Sequence, residues 1–275
     1  MSETSKPRSN LALRLLTAAV WVPLLLYSLF LGPSWLFPSM AALVCTLGAY
    51  ELFAMTCPAH PLLRAWGILA TLLVFAPTSG TIPDLWLGPI AIGVVCGGLL
   101  ASLASVAPIE SAGLRQGWSV AGPFYLGALF GAIARLFHQD HGGAWVLLVL
   151  IYAFGSDTAG YFVGRAIGKH KLYPAVSPAK TIEGSLGGLL GALVFGGLLA
   201  HFWFLRALPL LDAIILSIVA AAAGQAGDLC ESLLKRSVGV KDSGKMLPGH
   251  GGILDRVDAM LFCSAVVYLY VSLIH

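Results

Sequence analysis

Residues 232–258 read SLLKRSVGVKDSGKMLPGHGGILDRVD. The stretch carries five cations (Lys235, Arg236, Lys241, Lys245 and Arg256) and three acids (Asp242, Asp255 and Asp258). It lies between two long apolar runs, 208–231 and 253–274, with a further acidic pair, Asp228 and Glu231, just upstream. Charge beside or inside a lipid-facing segment is costly, so such a stretch marks a functional site by default. Its setting predicts spanning helices that hold these groups at one membrane face.

Composition extends that reading to the whole chain. The 275 residues are 58% hydrophobic and 11% charged, with a mean hydropathy of +0.86. A soluble domain carries about 25% charged residues. The expected fold class is an all-α polytopic integral membrane protein, and no stretch is polar enough to form a separate soluble domain. A spanning helix needs about 20 mostly apolar residues. Nine segments meet or approach that length: 13–31, 34–56, 62–79, 85–107, 118–137, 143–164, 184–205, 208–231 and 253–274. Lipid cannot satisfy a free backbone, so each is expected to be helical. The first run, 13–31, is longer than the apolar core of a signal peptide and is read as a retained span, with a signal anchor as the alternative. Most charges lie beyond Asp157. Residues 1–150 therefore read as scaffold, and 151–275 as the catalytic part.

Lys and Arg in short loops set orientation. Lys6, Arg8 and Arg14 place the N-terminus in the cytoplasm. Nine spans then put loops 57–64, 108–117, 165–183 and 232–252 on the same side, including the two richest in cations. Gly184/Gly188 and Gly187/Gly191 in the seventh segment, and Gly127/Gly131 in the fifth, have the spacing that lets helix backbones approach closely. Tight packing is the expectation there, rather than a pore. The five cysteines are scattered singly and form no ligand pattern, which argues against structural zinc or a disulfide framework.

Asp228 and Glu231 stand three apart on one helix face, and Asp255 and Asp258 repeat the spacing on the next helix. Four carboxylates at the ends of neighbouring antiparallel helices can converge. Mg²⁺ takes one or two carboxylates plus substrate phosphates, so these four are candidate metal ligands. Ion pairing is the plainer alternative: Glu231 with Lys235, and Asp255 or Asp258 with Arg256. Lys235, Arg236, Lys241 and Lys245 add positive charge between the pairs. Pro248-Gly-His250-Gly-Gly252 adds backbone N–H groups leading into a helix start, a ready anion site. The combination suits Mg²⁺-assisted phosphoryl or nucleotidyl transfer. His250 is a candidate general base or phosphate orienter. A second set comprises Asp157, Arg165, Lys169, Lys171, Ser177, Lys180, Thr181 and Glu183, where headgroup attraction and a substrate role are both open. Glu51 and Asp212 are read as paired or interfacial and carry no expectation.

The spacing from Ser232-Leu-Leu-Lys235-Arg236, through Lys241-Asp242, to Leu247-Pro-Gly-His250-Gly-Gly-Ile-Leu-Asp255-Arg256-Val-Asp258 resembles the signature of the CDP-diacylglycerol synthases (phosphatidate cytidylyltransferases). SDTAGYFVGRAIGKHKLYPAVSPAKTIEG, from Ser156, resembles that family's second motif. The resemblance implies transfer of CMP from CTP to phosphatidate with release of pyrophosphate. It also implies Mg²⁺ dependence, a bacterial inner-membrane setting with the site facing the cytoplasm, a homodimer, and no nucleic-acid partner. Carried onto this chain, Asp255, Asp258, Lys235 and His250 are expected to be catalytic. Ser177, Lys180, Thr181, Ser232, Arg236, Lys241, Asp242 and Arg256 are expected to bind substrate, and Asp228, Glu231, Asp255 and Asp258 the metal. Three rivals stand beside this reading. A CDP-alcohol phosphotransferase would show DGxxAR followed by GxxxDxxxD, and neither string occurs. A CTP-dependent polyprenol kinase would use a hydroxyl as attacking group. A transporter would place its charges at mid-membrane in broken helices, whereas most here cluster at one face.

Overall fold

A computed structural model of the chain describes residues 8–244, 246 and 251–274. The described residues form nine α-helices. They are α1 (Arg8–Phe30), α2 (Leu36–Thr56), α3 (Pro61–Thr78), α4 (Leu87–Leu103), α5 (Ala112–Phe137), α6 (Gly142–Ile167), α7 (Ile182–Ala192), α8 (Leu210–Ser237) and α9 (Leu254–Leu273). α7 continues to Phe204 as wider π-helical turns, Leu193–Leu198 and Ala200–Phe204. Eight of these helical stretches are long and apolar enough to cross a membrane. The described apolar part of α1, Ala19–Phe30, is shorter. The protein is thus an all-α polytopic membrane protein, as its composition predicts.

Lipid supplies no hydrophobic drive between helices, so close contact comes from small residues and interhelical hydrogen bonds. The glycine spacings do this. A Cβ on Gly184 of α7 would lie 2.9 Å from the Gly160 carbonyl of α6, and one on Gly127 of α5 would lie 2.5 Å from the Thr71 carbonyl of α3. Side chains there would push the backbones apart. The buried core runs from Leu29 of α1 to Val267 of α9 and draws on both halves of the chain.

Three boundaries differ from those the sequence suggests, and each moves charge. α8 runs on to Ser237, so Ser232, Lys235 and Arg236 are helical rather than in a loop. Cations in a last turn oppose the helix dipole favourably, and Gly239, at φ +76°, closes the end. α5 begins at Ala112 and takes in Arg115, which the sequence places in a loop. Arg115 is only 4% exposed. Its guanidinium donates to the carbonyls of Ser105 (3.2 Å), Val106 (2.8 Å) and Pro108 (2.9 Å), and to the Ser111 hydroxyl (2.6 Å). It is a staple for its own connection. Finally, the segment between α6 and α7 folds as an antiparallel hairpin, β1 (Lys171–Tyr173) with β2 (Ser177–Thr181). Arg165 falls inside α6.

Candidate active site

The hairpin and the start of α7 position the first cation. Thr181 caps α7, its hydroxyl accepting from the Gly184 N–H at 3.1 Å, which satisfies one of the free donors at a helix start. Glu183, in the first turn, accepts from the backbone N–H groups of Lys169 (3.1 Å) and His170 (3.2 Å) and meets the His170 ring nitrogen at 2.6 Å. With both ends tied, Lys180 is directed at α8. Its Nζ lies 2.5 Å from Asp228 Oδ2, each side chain about a quarter exposed. The Ser232 hydroxyl stands 3.3 Å from the other Asp228 oxygen.

This pair lines a cavity of about 380 Å³ between α6, α7, α8 and the hairpin. Asp157 of α6 opens into the same space and feels both the Asp228 carboxylate and the Lys180 ammonium. One turn of α8 deeper, Gln225 takes a hydrogen bond from the Ser185 hydroxyl. It donates to Ser156 Oγ (3.2 Å) and to the Ser185 carbonyl (3.0 Å). The cavity therefore has charge at its mouth and neutral hydrogen-bonding groups below. Sequence reasoning gave Asp157 only a general place and did not single out Gln225, Ser185 or Ser156. A glutamine inside an apolar run was the available signal.

A second group forms where α8 meets α9. Lys235 stands between two acids, 2.6 Å from Asp255 Oδ1 and 3.4 Å from Glu231 Oε1. Glu231 is 1% exposed, and pairing is what makes such burial tolerable. The second oxygen of Asp255 accepts from the Ser243 N–H (3.0 Å), the Ser243 hydroxyl (3.1 Å) and the Gly252 N–H (2.8 Å). Asp255 thus organises the connection into α9. Asp258 is buried, accepts from the Ala259 N–H at 2.7 Å, and lies within electrostatic reach of Glu231, Asp228 and Asp157.

The four paired acids differ in their partners. Asp228 joins Lys180 and Asp157 at the cavity, Asp255 and Glu231 share Lys235, and Asp258 lies between the two groups. Among the described residues, no group of three His, Cys, Asp or Glu side chains is spaced to hold a metal ion by itself. Arg236 donates to the Val240 carbonyl at 3.2 Å. Lys241, Asp242 and Arg256 are exposed, and Ser177 sits on β2. Lys245, Pro248, Gly249 and His250 lie outside the described residues.

Glu51, which the sequence left without a role, belongs to this second group. It reaches from α2 to accept from the Ser243 hydroxyl at 3.0 Å and the Leu254 N–H at 3.1 Å. A lone acid in the apolar run AYELFA was the signal, by the same rule that singles out any ionisable group within the membrane.

A family model described as the cytidylyltransferase family matches residues 12–274. A Haemophilus influenzae protein called phosphatidate cytidylyltransferase is 34% identical over 269 residues, covering 90% of this chain and 93% of its own. Proteins of the same name from Bacillus subtilis and Staphylococcus haemolyticus are similar over shorter lengths. The first is 39% identical over 152 residues, 54% of this chain and 55% of its own. The second is 47% identical over 131 residues, 45% of this chain and 47% of its own.

Proposed function

The chain belongs to the cytidylyltransferase family, and from that membership we propose that it makes CDP-diacylglycerol from CTP and phosphatidate. It is a nucleotidyltransferase of the bacterial inner membrane, serving phospholipid synthesis. In the proposed step, a phosphate oxygen of phosphatidate attacks the α-phosphorus of CTP in line. The bond from that phosphorus to the bridging oxygen breaks, and pyrophosphate leaves. Such a reaction needs positioning and charge neutralisation more than a covalent intermediate.

One observation carries the reading. The Lys180–Asp228 pair brings the two charged motifs together at the mouth of a cavity set between membrane helices. A lipid phosphate at the interface meets Lys180 there, while its glycerol end faces the neutral groups below. Lys241, Arg236 and Arg256 stand at the same end of α8 and α9 for the phosphates of CTP. The Asp157 and Asp258 carboxylates both feel that of Asp228, and carboxylate oxygens are the ligands a hard cation takes. Mg²⁺ would be held by Asp228 with Asp157 or Asp258, and the nucleotide phosphates would complete the set. When bound, it neutralises charge on the transferring phosphoryl group. Asp255 and Glu231 act on Lys235 and on the loop. The test is purified protein in detergent with labelled CTP. Product is expected only with CTP, phosphatidate and Mg²⁺ together. Phosphate transfer to a polyprenol, with no CDP-diacylglycerol, would replace this reading by the kinase.

The site is proposed to face the cytoplasm, because the cation-rich segments share the side of the N-terminal Lys and Arg. Cysteines placed at the exposed positions Ala175 and Met246, on a background without native cysteine, are expected to resist a membrane-impermeant thiol reagent in intact cells. One at Ala207, between α7 and α8, is expected to react. Reaction at Ala175 or Met246 would invert the assignment.

A further inference from the structure

We propose that Glu51, near the end of α2 in the half of the chain that reads as scaffold, is a positioning residue of the active site. Its buried carboxylate fixes the connection between α8 and α9 on which phosphate-binding groups stand. The inference rests on the reading of that connection given above.

Glu51 is 2% exposed within an apolar helix. A carboxylate so placed is costly unless hydrogen bonds or charge compensate it. Both compensating donors come from the far end of the sequence. The Ser243 hydroxyl donates to Oε2 at 3.0 Å, and so does the backbone N–H of Leu254 at 3.1 Å. Leu254 is the first residue of α9, so that N–H is one a helix cannot satisfy internally, at the end where negative charge is favoured. Glu51 thus acts as an N-terminal anion for a helix that is remote in sequence.

The contact passes on through shared groups. The same Ser243 hydroxyl stands 3.1 Å from Asp255 Oδ2, and Asp255 Oδ1 holds Lys235. A serine has one hydroxyl hydrogen, which the two carboxylates share, and the Ser243 N–H gives Asp255 a donor of its own at 3.0 Å. The loop is also shaped to receive the carboxylate. A side chain on Gly252 would place its Cβ 2.5 Å from Glu51 Oε2, and one on Gly244 would overlap Oε1. Packing alone would be met by a leucine at position 51. What the loop donates to here is Oε2, a role that a leucine cannot fill.

The test compares Glu51→Gln, Glu51→Ala and Ser243→Ala in the full chain, purified in detergent. The first readout needs no substrate: trypsin cleavage after Lys241, which is exposed in the loop. Cleavage of a native loop follows the population of its opened form, and it is expected to rise roughly tenfold or more in Glu51→Ala. The second is turnover per folded enzyme. Misplacement of a site by about 1 Å can cost roughly 10²-fold. A fall of that order is expected for Glu51→Ala, with the KM for phosphatidate within about twofold of wild type. Glu51→Gln keeps an acceptor for Ser243 and is expected to recover part of both effects. If Glu51→Ala fails to fold, Ser243→Ala severs the same link from the loop side, and both readouts are expected to move as they do in Glu51→Gln. Unchanged cleavage, or a lowered melting temperature with normal turnover per folded enzyme, would overturn the proposal. A wild type inactive on CTP and phosphatidate, whose loop still opens on mutation, would keep Glu51 in this role and overturn the function instead.

Discussion

Asp228→Asn and Lys180→Met are each expected to lower turnover at least ~100-fold while the protein inserts and purifies normally. Asp228 holds Lys180 at 2.5 Å and lines the cavity. Either change removes fixed charge from the place where a transferring phosphate would develop it. Loss of one such contact typically costs about 10²–10³ in rate. The alternative is an ordinary partly exposed ion pair, worth about 0–1 kcal/mol, whose loss would hardly touch turnover. The control is Asp212→Asn, on the same helix at its other end, where Asp212 accepts from the Tyr270 hydroxyl at 2.7 Å. It is expected to leave turnover within about twofold, because no charge at the site changes. Equal damage from Asp212→Asn would mean general instability. Near-normal turnover in both site variants would remove the cavity from the mechanism.

The largest effect on stability is expected from Lys235→Met. Lys235 is 8% exposed and sits between Glu231, itself 1% exposed, and Asp255. Removing the cation strands Glu231 in a poorly hydrated place, while Asp255 keeps its hydrogen bonds from Ser243 and Gly252, and breaking a buried pair costs about 3–5 kcal/mol. Thermal unfolding in detergent is expected to show a large drop in melting temperature. Glu231→Gln in the Lys235→Met background should restore part of it, since it removes the stranded carboxylate. An unchanged melting temperature for Lys235→Met would show that water reaches the group freely. No recovery in the double variant would show that Asp255, not Glu231, carries the cost.

The helical architecture was legible because lipid leaves few options. Long apolar runs with a saturated backbone can only be helices, and the nine expected segments lie on the nine helices of the described residues. Their ends were less legible where charge decides them. Lys235 and Arg236 look like loop residues, yet the pairing of Lys235 with Glu231 one turn earlier carries α8 on to Ser237. Arg115 looks like an orientation signal, yet inside α5 it donates to nearby carbonyls. The acids at the site were legible as types but not as partners. Equal spacing in Asp228/Glu231 and Asp255/Asp258 suggested one shared centre. Helix rotation instead sends Asp228 toward Lys180 and Asp255 toward Lys235. Glu51 is legible only as a lone acid in an apolar run, because its partners lie at the other end of the chain.

The bond from Leu254 to Glu51 spans 203 residues, which sets an order in time. Among the described helices, α2 is made second and α9 last. Until α9 emerges, the Glu51 carboxylate has neither the helix start nor Ser243 to meet it, and the loop has no anchor on the α2 side. A chain stopped short of α9 therefore holds an uncompensated acid in an otherwise apolar helix, the kind of flaw that membrane quality control can recognise. The hydrogen bond that completes the loop also reports that α9 has been made.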